Sequence, residues 1–227
     1  MKPVLFILTV LILSAYSQVT YDARNAEKYA YAAGLAYCPP ERIPKLECKM
    51  ASKLTTRHGM RPIHTFSNHA SMNPITYTIL ERIPEKELIV SFSGTSKNEQ
   101  LTFEFLNSYN IKYGLHPELE KANVVDYFYW YYVHQFRDDF EEAINYYSKY
   151  YSEYRIVFTG HSLGGAMTVH AAIDAILSGW ISSDRVAVYT FGQPRVGNSK
   201  FGKVLTNNTQ EVFRIVHNRD LVAHIPL

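Results

Sequence analysis

The sequence predicts an α/β fold, a mostly parallel central sheet covered by helices on both faces. Three observations carry this. Short runs rich in apolar and β-branched residues recur at 87–94, 155–160, 185–192 and 211–218, the composition of strands buried on both sides. Segments with helical spacing of apolar residues alternate with them. The stretch "RIVFTGHSLGGAMTVHAAIDAIL" (155–177) passes from strand pattern to helix pattern with only Gly-His-Ser between.

In chain order, the N-terminus "MKPVLFILTVLILSAYSQVT" has Lys2, an apolar run Val4–Leu13, and small residues at Ala15 and Ser17. That is the pattern of a secretory signal peptide over 1–17, cut near Ser17–Gln18, with one domain over 18–227. The apolar run is well short of the ~20 residues that span a bilayer, so no transmembrane segment is expected and the mature chain is expected to be secreted or lumenal. "NAEKYAYAAGLAYC" (25–38) has helical spacing. The only cysteines, Cys38 and Cys48, lie ten apart. In a secreted chain they are expected to form a disulfide, two buried thiols being the alternative. "PITYTILERI" (74–83) and "ELIVSFSG" (87–94) read as strands joined by a turn at Pro84-Glu85-Lys86. "FRDDFEEAINYYSKY" (136–150) places Phe136, Phe140, Ala143, Ile144 and Tyr147 on one helix face. Strand 155–160 and helix 163–177 follow, stopping at Gly179, and "RVAVYTFG" (185–192) and "EVFRIVHN" (211–218) add two strands.

Length and charge bound the function. A chain of 227 residues suits one domain with a sizeable core, and a monomer is expected. Net charge is +2 with no block of like charges, which leaves no footprint for nucleic acid and no polybasic membrane patch. The 18 tyrosines are ordinary core and rim material, although tyrosine-rich surfaces also bind sugars and lipids. The cysteines and histidines show no metal-ligand spacing, so neither metal nor cofactor is expected. Asn207-Asn208-Thr209 is an N-glycosylation sequon in the polar, turn-like stretch "TNNTQ".

Gly160-His161-Ser162-Leu163-Gly164-Gly165 is the chemically informative stretch. A reversal from strand to helix this tight forces the serine into strained backbone geometry, and glycines flank it because side chains there would clash. Ser162 would then present its hydroxyl above the sheet at a helix N-terminus, which favours developing negative charge. The N–H of Leu163 is placed as one oxyanion donor. The plainer reading is a serine that caps a buried helix.

"VFTGHSLGGAMTVHAA" (157–172) resembles the nucleophile region of the class 3 lipases, a group of α/β-hydrolases typified by fungal triacylglycerol lipases. "YTFGQPRVGN" (189–198), "FRIVHNRDLVAHIP" (213–226) and "LIVSFSGTS" (88–96) resemble further signatures of that family, in the same order and spacing. The likeness runs from about residue 75 to the chain end and is least over 97–135, where "VVDYFYW" (124–130) stands in place of the family's His-x-Gly-Phe stretch. The resemblance implies an α/β-hydrolase fold and a secreted lipase or carboxylester hydrolase that cleaves acylglycerol-type esters through a serine acyl-enzyme. It implies that Ser162 is the nucleophile, that Asp220, 58 residues later, orients a histidine base, and that Thr95 is the second oxyanion residue. It also implies a lid near Ser96–Leu106 and contact with a lipid–water interface. His161, adjacent to the nucleophile, is read as packing against the strand that precedes Ser93.

The base is where the chain departs from its family. The family places its catalytic histidine tens of residues after the aspartate, whereas here seven residues follow Asp220 and His224 is the one histidine among them. The expectation is therefore a chain truncated at its C-terminus, with the base beyond Leu227 and His224 as the alternative. A lipase-like lipid-binding protein without turnover is the competing functional class.

Overall fold

The computed structural model describes residues 20–68, 75–94, 109–209 and 211–226, and of Glu118 the backbone alone. The expected signal peptide over 1–17, Thr95 and the expected lid over 96–106 lie outside the described residues.

The strand β3 (Glu87–Phe92) shows how the sheet divides the molecule. All six of its residues are buried. Leu88, Val90 and Phe92 join one hydrophobic cluster and Ile89 joins another, as the two-residue period of a strand requires. The first cluster is built with α3 (Asp126–Gln135), α4 (Arg137–Tyr150), α5 (Leu163–Leu177) and α6 (Ser199–Asn208), which supply Phe128, Phe140, Ile173 and Phe201. The second is built with α1 (Ala23–Leu35) and α2 (Lys49–His58), which supply Tyr29, Leu35 and Leu54. Helices therefore cover both faces, which makes three layers.

β1 (Met60–Ser67) and β2 (Thr76–Arg82) are antiparallel, and β2 returns into β3 through a turn in which Lys86 has φ 51°. β3, β6 (Arg155–His161), β7 (Val186–Phe191) and β8 (Glu211–Ile215) are parallel, so their C-terminal ends lie on one side of the molecule. These six strands make one sheet in the order β1-β2-β3-β6-β7-β8. β4 (Asn110–Lys112) and β5 (Asn123–Val125) form a separate two-stranded ribbon. Among the described residues no helix is long and apolar enough to cross a membrane.

Cys38 and Cys48 are bonded, with their Cα atoms 6.2 Å apart. The bridge closes the segment between α1 and α2, and Cys48 also caps α2 by accepting a hydrogen bond from Ala51 N at 3.3 Å.

Every residue of α5 from Leu163 to Ala175 is buried, which brings a charge into the core. Burial alone would raise the Asp174 pKa, but hydrogen bonds from His116, Tyr132 and Arg137 outweigh it and hold the carboxyl below its ordinary value. The distances are 2.8 Å to His116 Nε2, 2.7 Å to Tyr132 Oη and 2.8 Å to Arg137 Nε. One turn earlier His170 is fully buried, with no hydrogen-bond partner for either ring nitrogen among the described residues and the ring stacked on Tyr113 and Tyr132. Loss of water pushes its pKa down to about 3, against a smaller opposing pull from Asp174.

One segment differs from the reading of the sequence, and two others carry no clear element pattern in it. "TNNTQ" is not a free turn: Asn207 and Asn208 form the last turn of α6, and the Thr209 hydroxyl donates to Val186 O at 2.5 Å. β1 carries no strand signal in the sequence, because Pro62 and a register irregularity between Pro62 and His64 break its pattern, features tolerated at a sheet edge. "VVDYFYW" ends β5 and begins α3, which has apolar residues nearly all round and so hides its helical period.

Candidate active site

At the C-terminal end of β6 the chain reverses into α5 within one residue. Ser162 takes φ 55° and ψ −127°, a conformation costly for a residue with a Cβ. It persists because the surroundings over-determine it. Ser162 N donates to Phe191 O at 2.9 Å, and Gly165 N donates to Ser162 O at 2.9 Å. The glycines permit the approach. A Cβ on Gly160 would overlap the Gly164 carbonyl, one on Gly164 would overlap Phe92 O, and one on Gly165 would lie 2.9 Å from Gln193 Cβ. Each glycine of Gly160-x-Ser162-x-Gly164-Gly165 thus has its own neighbour to avoid. The Ser162 side chain makes no capping hydrogen bond, although the residue is only 6% exposed. Leu163 is the first residue of α5, so its N–H has no acceptor within the helix.

Asp220 reaches the same end of the sheet from the loop that follows β8. Its Oδ1 accepts from Val222 N at 3.0 Å, which fixes the carboxylate against its own turn. Oδ2 lies over Gly192, 2.8 Å from where a Cβ would stand, and His161 Nε2 lies 3.5 Å from that same point. Gly192 has φ 54° and follows β7, so only a residue without a side chain leaves room for both groups.

His161 does not pack against the strand before Ser93. The reversal at Ser162 turns its ring toward Tyr37 instead, with Tyr37 Oη 2.8 Å from Nδ1. Loss of water lowers the His161 pKa, and the Asp220 carboxylate opposes this. Gly94, the last described residue before Thr95, meets the same tyrosine: a Cβ there would overlap Tyr37 Oη and lie 2.7 Å from His161 O. Nothing in the sequence singles out Tyr37 except its place beside Cys38.

His224 sits in a short 3-10 turn, Val222–His224, with its ring exposed. Arg214 Nη2 donates to both Gln193 O and Ala223 O and so holds this turn against the loop after β7. Among the described residues no imidazole is hydrogen-bonded to Ser162 or Asp220, and no group of three His, Cys, Asp or Glu side chains could hold a metal ion. The site's chemistry is that of a hydroxyl on a strained turn, a helix N-terminus and a nearby carboxylate.

The class 3 lipase family model matches residues 89–227, more than half of the chain. The lipase ZK262.3 of Caenorhabditis elegans is 41% identical over 76 residues, covering 34% of this chain and 22% of that protein. The Rhizomucor miehei lipase is 39% identical over 79 residues, covering 34% and 22%. A secreted mono- and diacylglycerol lipase of Fusarium solani is 38% identical over 73 residues, covering 32% and 21%. These alignments thus span about a fifth of the relatives' own lengths. In three dimensions the chain is similar to a lipase from Rhizopus microsporus var. chinensis, with a TM-score of 0.77 at 29% identity over 92% of this chain and 71% of that one. It is similar also to a triacylglycerol lipase described as having a serine protease triad at its catalytic centre, with a TM-score of 0.77 at 25% identity over 89% and 74%. An α/β-hydrolase sheet, the glycine-flanked Ser162 at its parallel-strand exit and the match from 89 to 227 converge: the chain belongs to the class 3 lipase family.

Proposed function

We propose that this chain is a secreted carboxylester hydrolase that cleaves acylglycerol-type esters through a covalent acyl-serine. The observation that carries this is Ser162, held at φ 55° between glycines with its hydroxyl capping nothing. Ser162 Oγ attacks the ester carbonyl and its proton passes to a histidine base. The carbonyl oxygen becomes an oxyanion held by the N–H groups of Leu163 and Thr95. Collapse expels the alcohol, which takes the proton, and water then releases the acid by the same two steps. Asp220 is the carboxylate that orients the base. The substrate class is supported by relatives that include a mono- and diacylglycerol lipase and a phospholipase A(1). Contact with a lipid–water interface is supported by a fungal lipase–inhibitor complex described as a model for interfacial activation, at TM-score 0.76 and 25% identity. Secretion is supported by the Cys38–Cys48 disulfide and by the Fusarium relative, which is a secreted protein.

The identity of the base is tested separately from that of the nucleophile. A fluorophosphonate should modify Ser162, and Ser162→Ala should remove both that adduct and hydrolysis of short-chain nitrophenyl esters. A folded protein whose Ser162 stays unmodified overturns the reading and favours lipid binding without turnover. If His224→Ala lowers turnover by ~10³-fold or more, His224 is the base; unchanged turnover removes it from the triad.

A further inference from the structure

A cavity of about 530 Å³ lies at the N-terminal ends of β6, β7 and β8, the end of the sheet opposite Ser162. Arg155, Asp184, Arg185, Val186 and Glu211 line it, and so does Asn207, in the last turn of α6. Its size falls in the ~300–1,000 Å³ range of small-molecule sites. Its charges balance. Arg155 Nη2 pairs with Glu211 Oε1 at 2.5 Å, and the Arg185 guanidinium, next in the chain to Asp184, is committed to three backbone carbonyls. Two cations and two carboxylates leave no net charge to attract an ion, so the lining suits a neutral ligand rich in hydroxyls. Among the described residues the Asp184 carboxylate accepts from the Ser182 hydroxyl alone, which leaves it acceptor positions for further O–H groups. Val186 is the one apolar residue of the lining.

The two asparagines beside the cavity differ. Asn208 Nδ2 donates back along the helix to Val204 O at 2.8 Å. Asn207 is exposed, and among the described residues its amide makes no hydrogen bond. Asn207 is also the acceptor of the Asn207-Asn208-Thr209 sequon.

We propose that this cavity is a saccharide subsite, filled by the first N-acetylglucosamine of a glycan on Asn207. Attachment forms a bond from Asn207 Nδ2 to C1 of the sugar and breaks the C1–O bond to a lipid-diphosphate carrier. The amide gives up one proton and the lipid diphosphate leaves. In the fold Thr209 Oγ1 is committed to Val186 O at 2.5 Å, so the sequon is read before α6 docks, and the sugar then meets the closed cavity. A lone sugar binds a protein weakly, but so short a tether holds it at an effective concentration of about millimolar or more. The acetyl methyl meets Val186, and the sugar hydroxyls donate to Asp184 and accept from Arg155. The inference rests on the secretion reading, because the carrier lipid is met on the secretory route.

The test is the full chain made in a secreting eukaryotic host and trimmed with an endoglycosidase to one N-acetylglucosamine. Nuclear Overhauser contacts are expected between the acetyl methyl and the Val186 methyls. The trimmed protein should melt about 2 °C or more above the sugar-free Asn207→Gln variant. Asp184→Ala should keep the sugar attached and at least halve the contacts to Val186. Either missing contacts or equal melting temperatures overturn the subsite, since a sugar that fills the cavity must give both. Contacts undiminished in Asp184→Ala overturn the part given to that carboxylate. A secreted protein without sugar at Asn207 overturns the inference and leaves secretion standing, whereas protein kept in the cytosol overturns both.

Discussion

Ser162 and His170 lie at the start and in the middle of one helical segment and show two opposite uses of burial. Ser162 is nearly buried yet its hydroxyl caps nothing, so Ser162→Ala should leave melting unchanged while lowering kcat by ~10⁴–10⁶ in the hydrolysing enzyme. A loss of folding in that variant would make the serine structural. His170 is buried without a hydrogen-bond partner among the described residues and is kept neutral, its pKa lowered to about 3. Its unfolded-state counterpart takes up a proton near pH 6.5. Between those values the unfolded chain holds the extra proton, so stability falls as pH drops, by about 1.4 kcal/mol per unit from this residue. His170→Leu should therefore flatten the decline in urea stability between pH 7 and pH 4. An unchanged slope would assign the acid sensitivity to other groups, such as His161 and His58, whose pKa values burial also lowers.

At the scale of elements, the helices are held by a few polar fastenings as well as by apolar contact. Arg185, just before β7, donates to Ser148 O, Tyr151 O and Tyr154 O at 3.3, 2.7 and 2.8 Å, closing the C-terminal end of α4. Asp174 joins α5 to α3 through Tyr132, to α4 through Arg137, and to the loop carrying His116. Removing its charge leaves the Arg137 guanidinium only its longer contact with Glu141, at 3.4 Å, so Asp174→Asn should cost about 3–5 kcal/mol in denaturant titration. A cost below about 1 kcal/mol, the range of an exposed pair, would refute a core role. The Cys38–Cys48 bridge joins the ends of α1 and α2 on the opposite face. Reduction should lower stability by about 2–3 kcal/mol on the chain-entropy model, and an unshifted melting temperature would show that the packing of α1 holds that segment unaided. The elements were largely legible: helix 163–177 has the bounds its pattern predicts, and the hairpin of β2 and β3 turns where Pro84-Glu85-Lys86 does. β1 and α3 were not, because Pro62 interrupts the first and aromatic residues on every side blur the second.

At the scale of the molecule, the parallel strands β3, β6, β7 and β8 separate two ends with different roles. Gly94, Ser162, Gly192 and Asp220 gather at their C-terminal exits, the place where open α/β sheets put functional groups. Asn207 is exposed at the other end, where Thr209 holds α6 to Val186 at the start of β7. We expect a glycan at Asn207 in protein from a secreting eukaryotic host, with a mass decrease after glycosidase treatment that Asn207→Gln abolishes. Fluorophosphonate modification of Ser162 should be the same in both proteins. A loss of modification in the Gln variant would contradict the separation of the two ends.

Local rules were enough to mark Ser162, because a tight strand-to-helix reversal leaves a chemical trace in its neighbours: Gly160, Gly164 and Gly165 are the residues a Cβ would exclude. The same holds for the strand and helix patterns, which record burial on one or both faces, and for Cys38 and Cys48, close enough along the chain to pair. Asp220 became legible only through its resemblance to a family motif, since an aspartate in a loop is ordinary. The direction of His161 and its contact with Tyr37 were decided by tertiary structure alone. Tyr37 lies 124 residues before His161 and 57 before Gly94, and it meets them because α1 folds onto the face of the sheet opposite α5. No local pattern encodes that meeting: a single hydroxyl carries no periodicity, and its partners are set by where the layers dock.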